Sequence, residues 1–173
     1  MIVPGDLFEI GLIVPDIETS IEQFHKAFGY TFAVVVDGVL PTRDADGDTV
    51  PPMRIAVSRE VSPQIELLEA VPGTHLVAPA GTGLHHLGYY VDDLQAASDA
   101  LAALGIPFAR GGFHEDVFPA SWVYHEMADG TVIELVDRQS APARAMLTVG
   151  QIPDSPMIEG ATPLDDGWRP ASH

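Results

Sequence analysis

The chain has no cysteine among its 173 residues. That absence removes disulfide staples, thiolate metal sites and cysteine nucleophiles together, and leaves imidazoles and carboxylates as the strong ligands on offer. Basic residues are scarce as well: 8 Lys and Arg stand against 25 Asp and Glu, for a formal net charge of −17. A field of that sign repels phosphate backbones and anionic lipid, so neither nucleic-acid nor membrane binding is expected. A phosphate-rich ligand would need a local cluster among Lys26, Arg43, Arg54, Arg59, Arg110, Arg138, Arg144 and Arg169. No apolar run approaches the roughly 20 residues of a membrane span, and no basic-then-apolar leader opens the sequence, so a cytoplasmic location is expected. What is present is 46% hydrophobic, enough to bury one ordinary domain or two small modules sharing a core.

The chain repeats itself. Ile10, Gly11, Val14 and Asp16 recur as Leu87, Gly88, Val91 and Asp93, an offset of 77; Gly29 and Phe32 recur as Gly105 and Phe108, an offset of 76. Ile65-Glu66-Leu67 recurs as Ile133-Glu134-Leu135, an offset of 68. Matched segments in one order with a shrinking offset indicate two copies of one supersecondary unit that differ in loop length. Such a domain places its chemistry between the copies.

Each copy reads as β-α-β-β-β. Leu7 to Val14 is a β-branched apolar run closed by Pro15, and Asp16 caps a helix with Ile17, Ile21, Phe24 and Phe28 at helical spacing and Gly29 at its end. Strands follow at Tyr30 to Val36, Met53 to Arg59 and Gln64 to Leu68, with a turn-rich acidic stretch between Asp37 and Pro52 and a turn at Val61-Ser62-Pro63. The second copy runs from a strand at Leu84 to Tyr90, through a helix capped at Asp92 or Asp93 and ended at Gly105, to strands at Pro107 to Arg110, Ser121 to Met127 and Thr131 to Val136. These modules, at about 6–70 and 83–138, make a domain of residues 1–138. Residues 139–173 form a proline-rich extension without a core of its own, expected as an arm on its own domain or on a partner subunit, with disorder as the alternative.

Strand alternation puts Glu9 and His86 at matched first-strand positions, and Glu66 and Glu134 at matched last-strand positions between apolar neighbours. A carboxylate there must be exposed, paired or bound to a cation, because burying a lone charge is costly. Finding it twice at equivalent sites favours the cation. A tight Asp129-Gly130 turn would set His125 directly opposite Glu134, a fifth polar group in the same pocket, but one extra turn residue would flip it. His85 is out of phase with His86 and reads as packing or solvent-facing. His25, His75, His114 and His173 read as surface residues, and Asp44 to Asp48 as an acidic turn rather than a calcium loop. Phe113, Phe118, Trp122 and Tyr124 read as core or as the lining of an apolar pocket.

The phrases Ile10-Gly11-Leu12-Ile13-Val14-Pro15-Asp16-Ile17, His85-His86-Leu87-Gly88-Tyr89-Tyr90-Val91-Asp92-Asp93 and Asp129-Gly130-Thr131-Val132-Ile133-Glu134-Leu135 resemble the vicinal oxygen chelate superfamily, which includes glyoxalase I, methylmalonyl-CoA epimerase and extradiol dioxygenases. The resemblance covers roughly residues 6 to 138. It implies an α+β fold in which two tandem βαβββ modules form an open, cup-shaped mixed sheet around one divalent metal ion, with ligands at Glu9, Glu66, His86 and Glu134. Enzymes of that family usually carry His where this chain has Glu9. Three carboxylates and one imidazole suit Mn, Mg, Fe, Co, Ni or Zn, unless Glu9 repels or replaces the metal. The resemblance further implies a metal-dependent isomerase, epimerase or lyase acting on a small carbonyl-bearing substrate through an enolate. Glu134 is then the favoured base, with Glu9 or His125 as second group, in a homodimer. A metal-free binding protein of the resistance type and an extradiol-type dioxygenase are the alternatives.

Overall fold

The computed structural model describes residues 2–61, 63–78 and 83–170, so Ser62 and His173 lie outside the described residues. The first module contains β1 (Leu7–Val14), α1 (Ile17–Phe28), β2 (Val34–Val39), β3 (Thr42–Asp44), β4 (Gly47–Thr49), β5 (Pro52–Val57) and β6 (Gln64–Glu69). The second contains β7 (Leu84–Val91), α2 (Leu94–Ala103), β8 (Phe108–Gly112), β9 (Trp122–Glu126) and β10 (Val132–Asp137). After Asp137 come a 3-10 turn, α3 (Ala141–Thr148), β11 (Ile158–Asp165) and β12 (Arg169–Pro170). Both long helices start where expected: Asp16 accepts from Thr19 N at 2.8 Å and Asp93 from Ala96 N at 2.9 Å. Gly29 ends α1 in the left-handed region at φ 79°, which glycine adopts without a Cβ penalty.

The strands form one mixed sheet in the order β12-β11-β2-β5-β6-β1-β7-β10-β9-β8-β3-β4. The two copies meet at its centre, where β1 and β7 pair antiparallel, and each is flanked by the parallel last strand of its own copy, β6 or β10. The sheet curls strongly. Strand β2 lies at the far end of the first copy and β3 pairs with β8 of the second, yet only Leu40 and Pro41 separate them. Three Cα steps span at most about 11 Å, so the two halves of the sheet approach one another across the mouth of a cup.

Alternation along the strands sorts the side chains into two layers. Ile17 and Ile21 of α1 pack with Val35, Ala56, Ile65 and Leu67 of the sheet, and Leu94 of α2 packs with Val123 and Leu135. The concave face carries Val34, Val36, Met53, Ile55 and Leu68 from one copy and Phe8, Trp122, Tyr124 and Val136 from the other.

Two expectations need correction. Strand β2 begins at Val34 rather than Tyr30, because Phe32 N bonds to Gly167 O and Arg59 N to Thr31 O, which ties the preceding residues to other segments. The acidic stretch after Asp37 is not all turn: its Thr42–Thr49 portion folds into the β3–β4 hairpin, steadied by the Arg43–Asp48 ion pair. The residues after Asp137, expected as an arm on their own domain or on a partner subunit, lie against their own sheet. Strand β11 adds to β2, and Leu147 and Leu164 are buried.

Candidate metal centre

The central strand pair builds the site. Across it Glu9 faces Gly88 and Gly11 faces His86, while Gly11 also neighbours Glu66 on β6 and Gly88 also neighbours Glu134 on β10. Each glycine therefore has two of the four chemical side chains beside it. A Cβ on Gly11 would lie 2.2 Å from His86 Cε1, and one on Gly88 would lie 2.6 Å from Glu9 Cγ. The side chains fold over the glycines toward one point.

All four are buried. His86 Nε2 lies 3.6 Å from Glu9 Oε1, 3.5 Å from Glu66 Oε2 and 3.2 Å from Glu134 Oε2. Ligand atoms of Glu9, His86 and Glu134 all fall within 4.8 Å of one another. Donors about 2.0–2.2 Å from a shared ion sit about 3.0–3.5 Å apart in octahedral or tetrahedral arrangements, so the observed spacing fits a divalent ion. Among the described residues, neither Glu9 Oε1 nor His86 Nε2 has a hydrogen-bond partner. Buried orphaned acceptors facing one another are costly unless a cation lies between them.

The other nitrogen of His86 is also accounted for. Its Nδ1 is 2.9 Å from His85 Nδ1, and His85 Nε2 is 3.2 Å from the His75 carbonyl oxygen. A carbonyl only accepts, so His85 Nε2 donates; burial, followed by the charge of His86, pushes the His85 pKa down to about 4 and keeps the ring neutral. His85 Nδ1 must then accept, and His86 Nδ1 donates to it. Neutral His86 is left with a bare lone pair on Nε2, aimed at three carboxylates. Burial alone would lower the His86 pKa, but Glu134 and then Glu66 outweigh it and raise it. The site calls for a proton or a metal at that atom. Burial, with Glu134 close by, pushes the Glu66 pKa up to about 7 although the His86 charge opposes this.

The structure places His125 elsewhere. Strand β9 pairs with β10 as Glu126 with Val132, His125 with Ile133 and Tyr124 with Glu134. The connection is a five-residue loop, 127–131, with Gly130 at φ 86°, and not the two-residue turn expected. The register moves by one residue and every side chain changes face. His125 is fully buried on the α2 side, within 2.9 Å of Ile106 O through Nδ1 and 2.8 Å of Ser98 Oγ through Nε2. Tyr124 occupies the concave face instead, its ring 5.4 Å from that of His86, and burial raises its pKa well above the usual value.

Two other histidines also differ from expectation. His75 is half-buried, with Nε2 unpartnered among the described residues and its pKa pushed down to about 4 by burial, and His25 stacks on Trp168 at 5.3 Å. His85 is packed and His114 exposed. Of the four aromatic residues singled out, Trp122 and Tyr124 line the central cavity, whereas Phe113 and Phe118 flank the Arg43 guanidinium.

Sequence reasoning missed Arg144. From α3 its Nη2 reaches Glu66 Oε1 at 2.9 Å and also contacts the carboxylate of Glu9. Burial lowers its pKa to about 9, so it stays cationic at neutral pH. The only sequence signal was an isolated Arg in a segment otherwise read as an arm. Above the cluster lies a cavity of about 420 Å³. Glu66, Glu134 and Arg144 bring charge to its floor; Met53, Ile55, Trp122, Leu147 and Ile158 are among its apolar walls.

Residues 8–124 match the sequence profile of the Glyoxalase/Bleomycin resistance protein/Dioxygenase superfamily. The chain belongs to that superfamily. Solved structures agree on the fold. Methylmalonyl-CoA epimerase from Mycobacterium tuberculosis superposes with a TM-score of 0.50 at 21% identity, covering 83% of this chain and 97% of that one. A single-site variant of the Streptomyces coelicolor methylmalonyl-CoA epimerase in complex with 2-nitronate-propionyl-CoA gives 0.53 at 18% identity, over 76% and 96% of the two chains. A mutant 4-hydroxymandelate synthase from Streptomyces coelicolor gives 0.55 at 16%, over 76% of this chain and 38% of that one. All are vicinal oxygen chelate proteins. No curated protein matches in sequence. At these identities the likeness shows the fold of the superfamily, the curled cup just described.

Proposed function

We propose that this superfamily member is a metal-dependent isomerase, epimerase or lyase acting on a small, unphosphorylated carbonyl compound. The observation that carries the reading is the buried convergence of His86 Nε2 on three carboxylate oxygens at 3.2–3.6 Å, with orphaned acceptors, at the floor of a mostly apolar cavity. Glu9, His86 and Glu134, with Glu66, would hold the ion. When bound, a divalent ion supplies a Lewis acid for the oxygen of a developing enolate. The chain supplies the proton transfers. Glu134 and Glu66 both line the cavity, and a carboxylate there takes the proton from the carbon next to the carbonyl. The second of these carboxylates, on the other side of the cavity floor, would return a proton. Two such groups suffice for epimerisation, one for isomerisation or elimination. Glu9 is buried beneath the cavity floor and serves as a ligand in this scheme. The expected cytoplasmic location and homodimer form part of the proposal; among the described residues no helix is long and apolar enough to cross a membrane.

The substrate class follows from charge. Six of the eight Lys and Arg side chains are ion-paired to acids: Lys26, Arg43, Arg54, Arg110, Arg138 and Arg144. Few cations are left to meet the phosphates of a coenzyme A ester such as the one bound by the Streptomyces epimerase. A dioxygenase with two histidine ligands is disfavoured because, among the described residues, His86 is the single imidazole in the cluster. Metal-free binding remains a second reading for one specific reason, that Arg144 already supplies a cation to the acids.

Metal analysis of protein purified without chelator, with NMR of solvent-deuterium uptake by a panel of small ketones, aldehydes and keto acids, tests the proposal. Bound divalent ion and metal-dependent exchange lost in Glu134→Gln are expected. No ion bound, and none taken up on titration, would leave the binding reading.

A further inference from the structure

We propose that Arg144 is a positioning residue of the metal centre: a second, built-in cation that holds Glu9 and Glu66 to one coordinating oxygen each. The inference rests on reading the cluster as a metal site, and it concerns a residue beyond the stretch 8–124 that carries the superfamily match.

Toward His86 Nε2 point Oε1 of Glu9 and Oε2 of Glu66, at 3.6 and 3.5 Å. Toward Arg144 Nη2 point the opposite oxygens, Oε2 of Glu9 and Oε1 of Glu66. Each carboxylate is split, one oxygen to the imidazole side and one to the guanidinium. An ion coordinated beside the imidazole and the guanidinium therefore occupy different places and do not compete. Charge closes on the same arrangement. Three carboxylates bring three negative charges, a divalent ion balances two, and Arg144 balances the third. Without it the buried centre would hold an uncompensated charge, which is costly in a low-dielectric interior. The guanidinium is fixed from behind by the Phe8 ring at 5.2 Å, and its helix by Leu147 in the core of the concave face. The segment after Asp137 thus acts as part of the site and not only as cover for the sheet edge.

Both contacts go to a single nitrogen, Nη2, so a lysine ammonium, on a side chain one bond shorter, can replace the guanidinium in charge. Co2+ loaded into the purified protein reads the coordination directly, because four- and five-coordinate Co2+ absorbs visible light several times more strongly than six-coordinate Co2+. Wild-type protein is expected to show the strong band. In Arg144→Met the released oxygens of Glu9 and Glu66 also bind, coordination rises and the band falls several-fold; Arg144→Lys keeps it. An Arg144→Met band equal to wild type, whether its Co2+ affinity is unchanged or higher, overturns the proposal. X-ray absorption on Co2+-loaded wild type gives an answer even if Arg144→Met fails to fold. The short metal–carbon distance of a chelating carboxylate should be missing, and finding it for two carboxylates overturns the proposal. If wild type takes up no Co2+ at all, the metal reading and the proposal fall together; a wild-type band indifferent to Arg144 removes the proposal alone.

Discussion

In the proposed metal centre, His86 is oriented by what holds its far side. The chain from His75 O through His85 to His86 Nδ1 sets the tautomer, and outer partners of this kind typically contribute about 10–100-fold to metal affinity. His85→Phe keeps an aromatic ring against Tyr124 but removes the acceptor, so Co2+ affinity by isothermal titration should fall about 10–100-fold; an unchanged affinity would mean the pair is packing only. Protonation of the acids gives a second expectation. The Glu66 pKa is raised from its ordinary 4.5 to about 7, so its contribution to stability is full below about 4.5 and is lost as the pH climbs through 7. That displacement is worth at most about 3 kcal/mol. The raised pKa of His86 acts in the same direction, whereas His75 and His85, held at about 4, lose their contribution as the pH falls below about 6.5. An incoming ion must displace the Glu66 proton, so its binding strengthens through neutrality. Thermal melts with and without Co2+ should show a small rise in Tm at pH 5.5 and a much larger one at pH 8. Equal rises at both pH values would mean that Glu66 does not titrate with the ion.

At the scale of elements, the repeated halves were legible because their pairing is written in residues that tolerate little else. Gly11 and Gly88 recur with an offset of 77, as do Glu9 and His86, and the structure sets each glycine across the β1–β7 ladder from the chemical residue of the other copy. Added methyl groups there have nowhere to go. Gly88→Ala should push Glu9 aside and Gly11→Ala should push the His86 ring, each costing about 1–3 kcal/mol of stability in the overpacked strand pair. Denaturant unfolding with parallel Co2+ titration checks this: a lowered midpoint and weakened metal uptake in both variants is expected, while native behaviour of either would show that the glycines are incidental. The β9–β10 register was not legible. Asp129-Gly130 fits a two-residue turn as well as it fits the end of a five-residue loop, and the choice is made by Met127 N bonding to Thr131 O and Thr131 N to the Asp129 side chain. Strand period is 2, so that one-residue difference exchanged His125 for Tyr124 in the pocket.

For the whole molecule, a net charge of −17 leaves the few cations mostly engaged, and a largely apolar opening lies between the curled sheet and the segment after Asp137. That segment was hard to read because its residues take their structure from tertiary contacts. Strand β11 alternates exposed and half-buried positions as an edge added to β2, and α3 is a single short helix anchored by Leu147. Helices that short are not stable alone, so local propensity carries little signal. Residues from α3 and from 153–158 nevertheless form one wall of the cavity, which limits what enters it. A volume of about 420 Å³ suits a small apolar molecule with one carbonyl, while a coenzyme A thioester would leave its nucleotide outside, against an acidic surface. Trp122 lines the cavity and Trp168 packs against His25, so in Trp168→Phe the emission reports on Trp122. Small branched or aromatic carbonyl compounds should quench or shift that emission in a saturable way, and coenzyme A at physiological salt should not. If coenzyme A perturbs Trp122 and the small compounds do not, the phosphates are being met by Arg59, Arg169 or cations released from the present ion pairs. The substrate would then be sought among thioesters.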